Sequence, residues 1–143
     1  MALVTNKKAS YNYELGEKMT AGIELFGYEV KSLRSGQGSL EGSYVIVRGG
    51  EAFLIGSHIP AYQKANAPAD FNERRNRVLL LRKKEIAEIA LAEQKKTPII
   101  PLSFFASGSK IKIEFAFGKG KKKSDKRQSI KKKDTERDLK RKL

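Results

Sequence analysis

The sequence predicts a mainly β protein with added helices: an OB-like barrel, closed or partly open, followed by a basic, conditionally helical C-terminal tail. Three observations lead to this fold class. About six or seven short apolar segments are bounded by turn residues, as strands are. One helical segment is inserted among them, and positive charge is concentrated after residue 117. Small barrels of this kind commonly bind nucleic acids. A generic α+β sheet fits the pattern nearly as well.

The first half of the barrel is predicted from short extended segments and one hairpin. Residues 11–15 and 20–25 are strand candidates, and residues 44–47 and 52–55 flank Gly49-Gly50. Because glycine tolerates positive φ, this pair suits a two-residue hairpin turn. The first half therefore holds two separate strands followed by a hairpin.

The second half begins with residues 78–81, a continuous apolar run that predicts a strand buried on both faces. Residues 99–105 and 110–117 are separated by Ser107-Gly108, a second hairpin signal. In the last strand apolar residues alternate with polar ones, at Ile111, Ile113, Phe115 and Phe117. This period of two places one face in a core and the other in water.

Two segments have helical spacing. Residues 28–35 end at Gly36, a typical C-terminal stop, and residues 83–95 are followed by Pro98. Between them, residues 60–77 include a long polar loop that contains several arginines. Loops of this length are often functional or mobile.

The charge divides the chain into two predicted units, residues 1–117 as the barrel and 118–143 as the tail. The whole chain has 30 Lys and Arg against 16 Asp and Glu, a net charge of +14. The tail holds 13 basic and 4 acidic residues, a net +9, whereas the barrel holds 17 and 12, a net +5. Such an excess attracts polyanions. We expect the tail to be disordered when free and helical against an anionic surface; a solubility appendage or a generic nucleic-acid arm is the alternative.

Catalytic chemistry is not expected, nor is a cofactor. His58 is the single histidine and cysteine is absent, so the sequence has no Cys/His metal site and no thiolate. The string Gly118-Lys119-Gly120-Lys121-Lys122 lacks the spacing of a phosphate-binding loop. No apolar run of membrane-spanning length and no secretory signal are present, so we expect a cytoplasmic protein.

Binding chemistry is what the sequence does offer. Lysines and arginines neutralise phosphates, with an affinity that weakens with salt. Tyrosines can stack on unpaired bases; the candidates are Tyr11, Tyr13, Tyr28 and Tyr62. Each can equally pack within the barrel. Gly118 and Gly120 either let the backbone approach RNA closely or form a hinge before the tail.

Seven strings, in chain order, make the sequence similar to a known family. They are Asn6-Lys7-Lys8-Ala9, Ala21-Gly22-Ile23-Glu24-Leu25, Gly27-Tyr28-Glu29-Val30-Lys31-Ser32-Leu33-Arg34, Gly50-Glu51-Ala52-Phe53-Leu54, His58-Ile59-Pro60-Ala61-Tyr62, Arg77-Val78-Leu79-Leu80-Leu81, and Gly118-Lys119-Gly120-Lys121-Lys122 with Asp125-Lys126-Arg127. From about residue 6 to residue 137 the chain resembles the tmRNA-binding proteins, also called SsrA-binding protein or small protein B.

The resemblance implies an RNA-binding adaptor with no enzymatic activity. Such an adaptor binds the tRNA-like domain of tmRNA and delivers it to stalled ribosomes for trans-translation. Its implied partners are tmRNA and, on the ribosome, the small-subunit decoding centre and the mRNA channel. No membrane is implied, and the protein is a monomer in complex with tmRNA. The alternative function is that of a general OB-like translation factor or ribosomal protein that binds ribosomal RNA.

The resemblance also implies two RNA surfaces. The tmRNA surface comprises Asn6, Lys7, Lys8, Glu29, Lys31, Arg34, Arg77 and Leu80. The ribosome surface comprises Lys119, Gly120, Lys121, Lys122, Asp125, Lys126 and Arg127. For Glu29 two interpretations stand side by side: its carboxylate accepts hydrogen bonds from base amino groups, or it forms a salt bridge with a nearby Lys or Arg. Ser10-Tyr11 and Ser124 depart from the family pattern.

Overall fold

The computed structural model describes residues 2–121. Its strands and helices follow one another along the chain as β1 (Ala2–Thr5), α1 (Ala9–Asn12), β2 (Tyr13–Ile23), α2 (Gly27–Arg34), β3 (Tyr44–Arg48), β4 (Glu51–Ile55), a 3₁₀ helix (Lys64–Asn66), β5 (Arg77–Leu80), α3 (Lys83–Gln94), β6 (Ile99–Ser107) and β7 (Lys110–Lys121).

One seven-stranded sheet contains all of these strands, in the order β1-β6-β7-β2-β5-β4-β3. Every pairing is antiparallel. The sheet curls until β3 lies near β6, and α3 packs against β3, β4 and β6. In the part of the chain described, β1 and β3 end the sheet and it does not close. The predicted fold class, mainly β with added helices around a partly open barrel, is confirmed.

The core is formed by alternate positions of the strands together with one side of each long helix. Phe104, Ile113 and Phe115 are fully buried, as are Leu33 of α2 and Ile89 of α3. Each such side chain contributes about 1.5–3 kcal/mol by leaving water. The alternation predicted for the last strand is confirmed from position 111 to position 115, but it is wrong at its end, where Ala116 is fully buried and Phe117 only partly.

Both predicted hairpins are present. β3 and β4 are joined at Gly49-Gly50, whose φ angles of +61° and +78° are those of the type I′ turn that matches strand twist. β6 and β7 pair Ser107 with Lys110, so the second turn is Gly108-Ser109 with Gly108 at φ +62°.

Residues 11–15 and 20–25 do not form two strands, and that prediction is wrong. Tyr11 lies in α1, a single helical turn, and β2 is one continuous strand. β2 pairs with β7 from Tyr13–Lys121 to Gly22–Lys112, with irregular register near Gly16. Pairing with β7 thus keeps β2 extended along its whole length, although its polar stretch has only a weak strand pattern of its own.

The strand predicted at 78–81 exists as β5, but the prediction that both of its faces are buried is wrong. Arg77 and Leu79 are buried, whereas Leu80 is 54% exposed. Leu80 pairs across the sheet with Gly22, which has no side chain to cover it. One face of β5 therefore remains open to solvent.

The two predicted helices are confirmed as α2 and α3. Each has a glutamate as its third residue, which accepts a hydrogen bond from the backbone N–H of the residue before the helix, at 2.8 Å for Glu29 and 2.9 Å for Glu85. This bond satisfies a donor at the helix start. After α2, Gly36 takes φ +83°, as predicted for its C-terminal stop. No helix within residues 2–121 is long and apolar enough to cross a membrane.

Candidate nucleic-acid interface

The carboxylate of Glu29 is buried although it lies in the first turn of α2. Its side chain is 0% exposed. Oε1 accepts the Phe26 N–H at 2.8 Å and Nη2 of Arg75 at 2.7 Å. Oε2 accepts Nε of Arg75 at 3.1 Å and Nη2 of Arg77 at 2.6 Å. The start of α2 thus places this carboxylate in hydrogen-bonding contact with two guanidinium groups. We call these three residues, Glu29, Arg75 and Arg77, the Glu29 cluster.

Arg77, the first residue of β5, is also 0% exposed. Besides its bonds to Glu29, it donates to Oγ of Ser57 at 3.1 Å, to the Arg75 carbonyl at 3.0 Å and to the Glu73 carbonyl at 3.0 Å. Within residues 2–121 every buried side-chain nitrogen and oxygen has a hydrogen-bond partner. A buried guanidinium satisfied in this way ties α2, β5 and the preceding loop together.

The electrostatics of the Glu29 cluster favour its ionised form. Burial by itself raises the pKa of Glu29, but the hydrogen bonds from Arg75 and Phe26 and the charge of Arg77 outweigh it and hold the pKa below its ordinary value. The salt-bridge interpretation of Glu29 is therefore the one that the structure shows. Both carboxylate oxygens are buried and occupied by these hydrogen bonds, so contact between Glu29 and base amino groups stays a prediction that would require the cluster to open.

The other residues predicted on α2 and β5 have exposed side chains. Lys31 and Arg34 lie on the solvent side of α2, and Leu80 projects from β5. Leu80 and Val30 of α2 line one open cleft together with Lys110 and Lys112. This cleft places α2 beside β5, but the predicted Lys31 and Arg34 are not among its lining residues.

The predicted residues after β1 lie on a different part of the sheet. Asn6 is half-buried; its amide donates to the Pro101 carbonyl at 2.9 Å, and its backbone N–H donates to the Leu102 carbonyl at 2.7 Å. These bonds fasten the chain to β6. Lys7 is exposed, and Lys8 pairs with Glu41 at 2.8 Å.

The start of the predicted tail belongs to the sheet. β7 continues through Gly118 and Lys119 to Lys121, past the boundary predicted at residue 117. The Gly118 N–H donates to the Pro98 carbonyl at 2.8 Å, and a Cβ here would lie 2.8 Å from Cγ of Pro98. Close packing on Pro98 accounts for this glycine. Lys119 is exposed; Lys122, Asp125, Lys126 and Arg127 lie outside the described residues.

An aromatic corner, which we define as Phe26, Tyr28 and Phe71, borders the Glu29 cluster. The Phe26 and Tyr28 rings stack at 5.4 Å, and Phe71 meets Tyr28 edge-on at 5.0 Å. The Arg75 guanidinium lies 4.4 Å from the Phe26 ring centroid. Of these residues only Tyr28 was predicted as a stacking candidate. The several arginines of the 60–77 loop indicated a functional loop, but the residues that they contact are distant in sequence.

A metal centre has no support in the described part of the chain, where no three His, Cys, Asp or Glu residues are grouped to hold an ion. The predicted tmRNA surface and the aromatic corner instead offer exposed cations, the exposed side chain of Leu80 and clustered aromatic rings. These are groups that contact phosphates and bases.

Comparison with known proteins gives consistent results. The family described as "SmpB protein" matches residues 3–143. Among proteins named "SsrA-binding protein", that of Oleidesulfovibrio alaskensis is 44% identical over 142 residues, covering 99% of this chain and 91% of the relative. That of Parvibaculum lavamentivorans is 45% identical over 141 residues, covering 95% and 84%.

A solved structure agrees with these sequence matches. A chain of the structure named "tmRNA-SmpB: a journey to the center of the bacterial ribosome" is 33% identical, with a TM-score of 0.72, covering 91% of this chain and 95% of that one. With the family match extending over residues 3–143, this chain belongs to the SmpB protein family.

Proposed function

We propose that the chain is an RNA-binding adaptor that binds the tRNA-like domain of tmRNA and delivers it to stalled ribosomes for trans-translation. The observation that carries the proposal is the likeness, over 91% of this chain, to a protein solved in a tmRNA-SmpB structure. The net charge of +14 supports it, because phosphate neutralisation supplies most of the affinity for nucleic acid. Because its proposed partners, tmRNA and the ribosome, are cytoplasmic, we propose a cytoplasmic location for the protein.

The proposed activity is binding alone, without an enzymatic step. We assign direct tmRNA contacts to exposed residues of the predicted surface, namely Lys7, Lys31, Arg34 and Leu80. Lys8 joins them when its bond to Glu41 opens. The buried members of the set, Glu29 and Arg77, act by holding α2 against β5, and Asn6 acts by fastening its segment to β6.

The ribosome is the second proposed partner. Lys119 stands exposed near the end of β7, and residues 120–143 continue with the strong positive charge of the tail. We propose that Gly120, Lys121, Lys122, Asp125, Lys126 and Arg127 meet the decoding centre. The tail would then follow the mRNA channel, where counterion release offsets the entropy of ordering.

A gel-shift titration tests the tmRNA assignment. Purified full-length protein is titrated against the tRNA-like domain of tmRNA at moderate salt, with elongator tRNA as competitor. We expect binding that excess tRNA does not displace. Equal competition by tRNA would contradict the proposal and would favour a general RNA-binding translation factor or ribosomal protein.

A truncation tests whether the two RNA surfaces are separate. The chain is stopped after Lys121, because β7 pairs with β2 up to that residue and an earlier stop would damage the sheet. We expect tmRNA binding close to that of the full chain and loss of peptide tagging in a reconstituted translation system. Loss of tmRNA binding by this truncated chain would contradict the two-surface arrangement.

A further inference from the structure

The aromatic corner gathers side chains from two separate segments. Phe26 and Tyr28 come from the start of α2, whereas Phe71 comes from the loop before β5. All three ring pairs are in contact, at 5.4 Å, 5.0 Å and 6.4 Å. The backbone of this corner is fastened to the following loop, because the Tyr62 N–H donates to the Tyr28 carbonyl at 3.0 Å.

The aromatic corner is open to solvent through Phe26, which is 48% exposed, whereas Tyr28 and Phe71 are half-buried. A single exposed aromatic side chain is ordinary, but contiguous apolar surface made by several rings in contact marks a binding site. The rings beneath are packed against each other, so the exposed surface is already formed before a ligand arrives.

The chemistry of the aromatic corner suits a nucleobase. The Arg75 guanidinium lies 4.4 Å from the Phe26 centroid, and two hydrogen bonds to Glu29, at 2.7 Å and 3.1 Å, fix its orientation. Aromatic rings and guanidinium planes are the groups on which proteins stack unpaired bases. The positive charge next to the rings favours a ligand that also carries phosphate.

A groove continues from the aromatic corner along the loop. Phe71 lines it together with Lys64, Pro68 and Glu73, and its volume is about 290 Å³. Its walls are mixed, because apolar side chains share the lining with the charged Glu73 and Lys64, and Lys64 adds a second cation. A base on the rings would therefore have space and positive charge for its neighbouring nucleotide.

We propose that Phe26, Tyr28 and Phe71, with Arg75, form a stacking site for an unpaired nucleotide of the bound RNA. This rests on the proposed function and adds a site for bases to a surface so far described by phosphate-binding cations. Glu29 is a positioning residue for this site, since it orients Arg75 without meeting the base itself. Stacking makes the site selective for unpaired over paired nucleotides.

The absence of tryptophan from the chain allows a direct optical test. A Phe26→Trp variant carries one tryptophan, whose fluorescence falls when a base stacks on it. It is titrated with the tRNA-like domain of tmRNA, with a single-stranded oligonucleotide, and with a blunt RNA duplex at equal phosphate concentration. We expect quenching by the first two RNAs and little by the duplex. Equal quenching by the duplex, or binding without quenching, would overturn the stacking site.

A second variant measures the contribution to affinity. Phe26→Leu keeps an apolar side chain and the backbone N–H that donates to Glu29. We expect it to weaken binding of the tRNA-like domain about tenfold or more and to leave the salt dependence unchanged, because no phosphate contact is lost. Tyr44→Leu is the matched control, since Tyr44 is 49% exposed on β3, and it should bind as the wild type does. Wild-type affinity in Phe26→Leu would overturn the inference.

The two proposals fail in different ways. If ordinary tRNA displaces tmRNA from the wild-type protein, the proposed function fails, while the tryptophan response to unpaired and paired RNA still decides the stacking site. If tmRNA binding is selective but Phe26→Trp shows no quenching, the stacking site fails and the adaptor function stands.

Discussion

The Glu29 cluster and the Lys8–Glu41 pair have nearly the same geometry in opposite surroundings. Arg77 and Glu29 are joined at 2.6 Å, and Lys8 and Glu41 at 2.8 Å. The first two side chains are 0% exposed, whereas the second two are 65% and 62% exposed. Both places contain residues that the family resemblance put on the tmRNA surface.

Burial, and not distance, separates the two ion pairs. In the exposed pair, water and salt screen the attraction, and two long side chains lose freedom to hold one geometry. In the Glu29 cluster the charges of Glu29 and Arg77 are out of water, so removing one of these two leaves the other buried without its closest partner. The two ion pairs have similar lengths. The Glu29 cluster nevertheless stabilises the fold, whereas the exposed pair leaves Lys8 available to a ligand.

The largest effect is expected for Glu29→Ala. It removes five hydrogen-bonded contacts and leaves Arg77 buried without its anion. We expect the free energy of unfolding to fall by about 3–5 kcal/mol, measured by urea denaturation. The double variant Glu29→Leu with Arg77→Met should lose less than Glu29→Ala alone, because no charge is then stranded. An unchanged urea midpoint for Glu29→Ala would contradict the structural role.

A pH titration should separate the two regions next. Because the pKa of Glu29 is lowered in the folded protein, its ionisation stabilises the fold above the ordinary glutamate pKa of about 4.3. That stability is lost as pH falls from there through the lower folded pKa. The urea midpoint of the wild type should therefore exceed that of Glu29→Gln most at neutral pH, with the gap narrowing below about pH 4.

Glu41→Gln is the matched control for this titration. Lys8 also lowers the pKa of Glu41, but the exposed position weakens any consequence for folding. Its midpoint should follow that of the wild type across the range. A gap for Glu29→Gln that stays constant down to pH 3 would show that the charge of Glu29 is not what stabilises the cluster.

The sequence was sufficient for much of this architecture. Both hairpins carry local turn signals, and α2 and α3 carry periodicity with end signals, so each was predictable without its neighbours. β2 was not, because its polar stretch is extended only through pairing with β7, about a hundred residues away along the chain. The open face of β5 depends in the same way on its partner residue, Gly22.

In the candidate site, too, some features follow from local sequence and others depend on residues far away along the chain. Charge and the family strings pointed to Glu29 and Arg77, but their burial follows from a contact between residues 48 positions apart. Arg75 and Phe71 were missed because the residues they contact, Glu29 and Tyr28, lie more than 40 positions away along the chain. Sequence identified which residue types matter here, whereas tertiary packing decides which of them face solvent.

The exposure of the Glu93 side chain lies between those of Glu29 and Glu41, and its substitution is expected to change stability less than that of Glu29. Its carboxylate accepts the Val47 N–H at 2.8 Å and Arg48 at 2.7 Å, and its side chain is 32% exposed. Glu93→Ala should lower the free energy of unfolding by about 1 kcal/mol, because the Val47 N–H of the terminal strand β3 loses its acceptor. Glu93→Gln retains an acceptor oxygen and should lose less. A larger loss in Glu93→Gln than in Glu93→Ala would contradict this assignment.

The smallest effect on stability is expected for Lys8→Ala, which should leave the thermal midpoint within error of the wild type. If Lys8 meets a phosphate, the variant should bind the tRNA-like domain less tightly, and its salt slope should fall by about 1. Glu41→Ala is the opposing control: it removes the same ion pair but keeps the cation, so binding should hold or tighten.

A lower thermal midpoint in both variants would make the exposed pair structural, and the contrast with the Glu29 cluster would disappear. Unchanged binding in Lys8→Ala would instead remove Lys8 from the tmRNA surface while leaving the contrast intact, because stability and binding are separate readouts of the same pair.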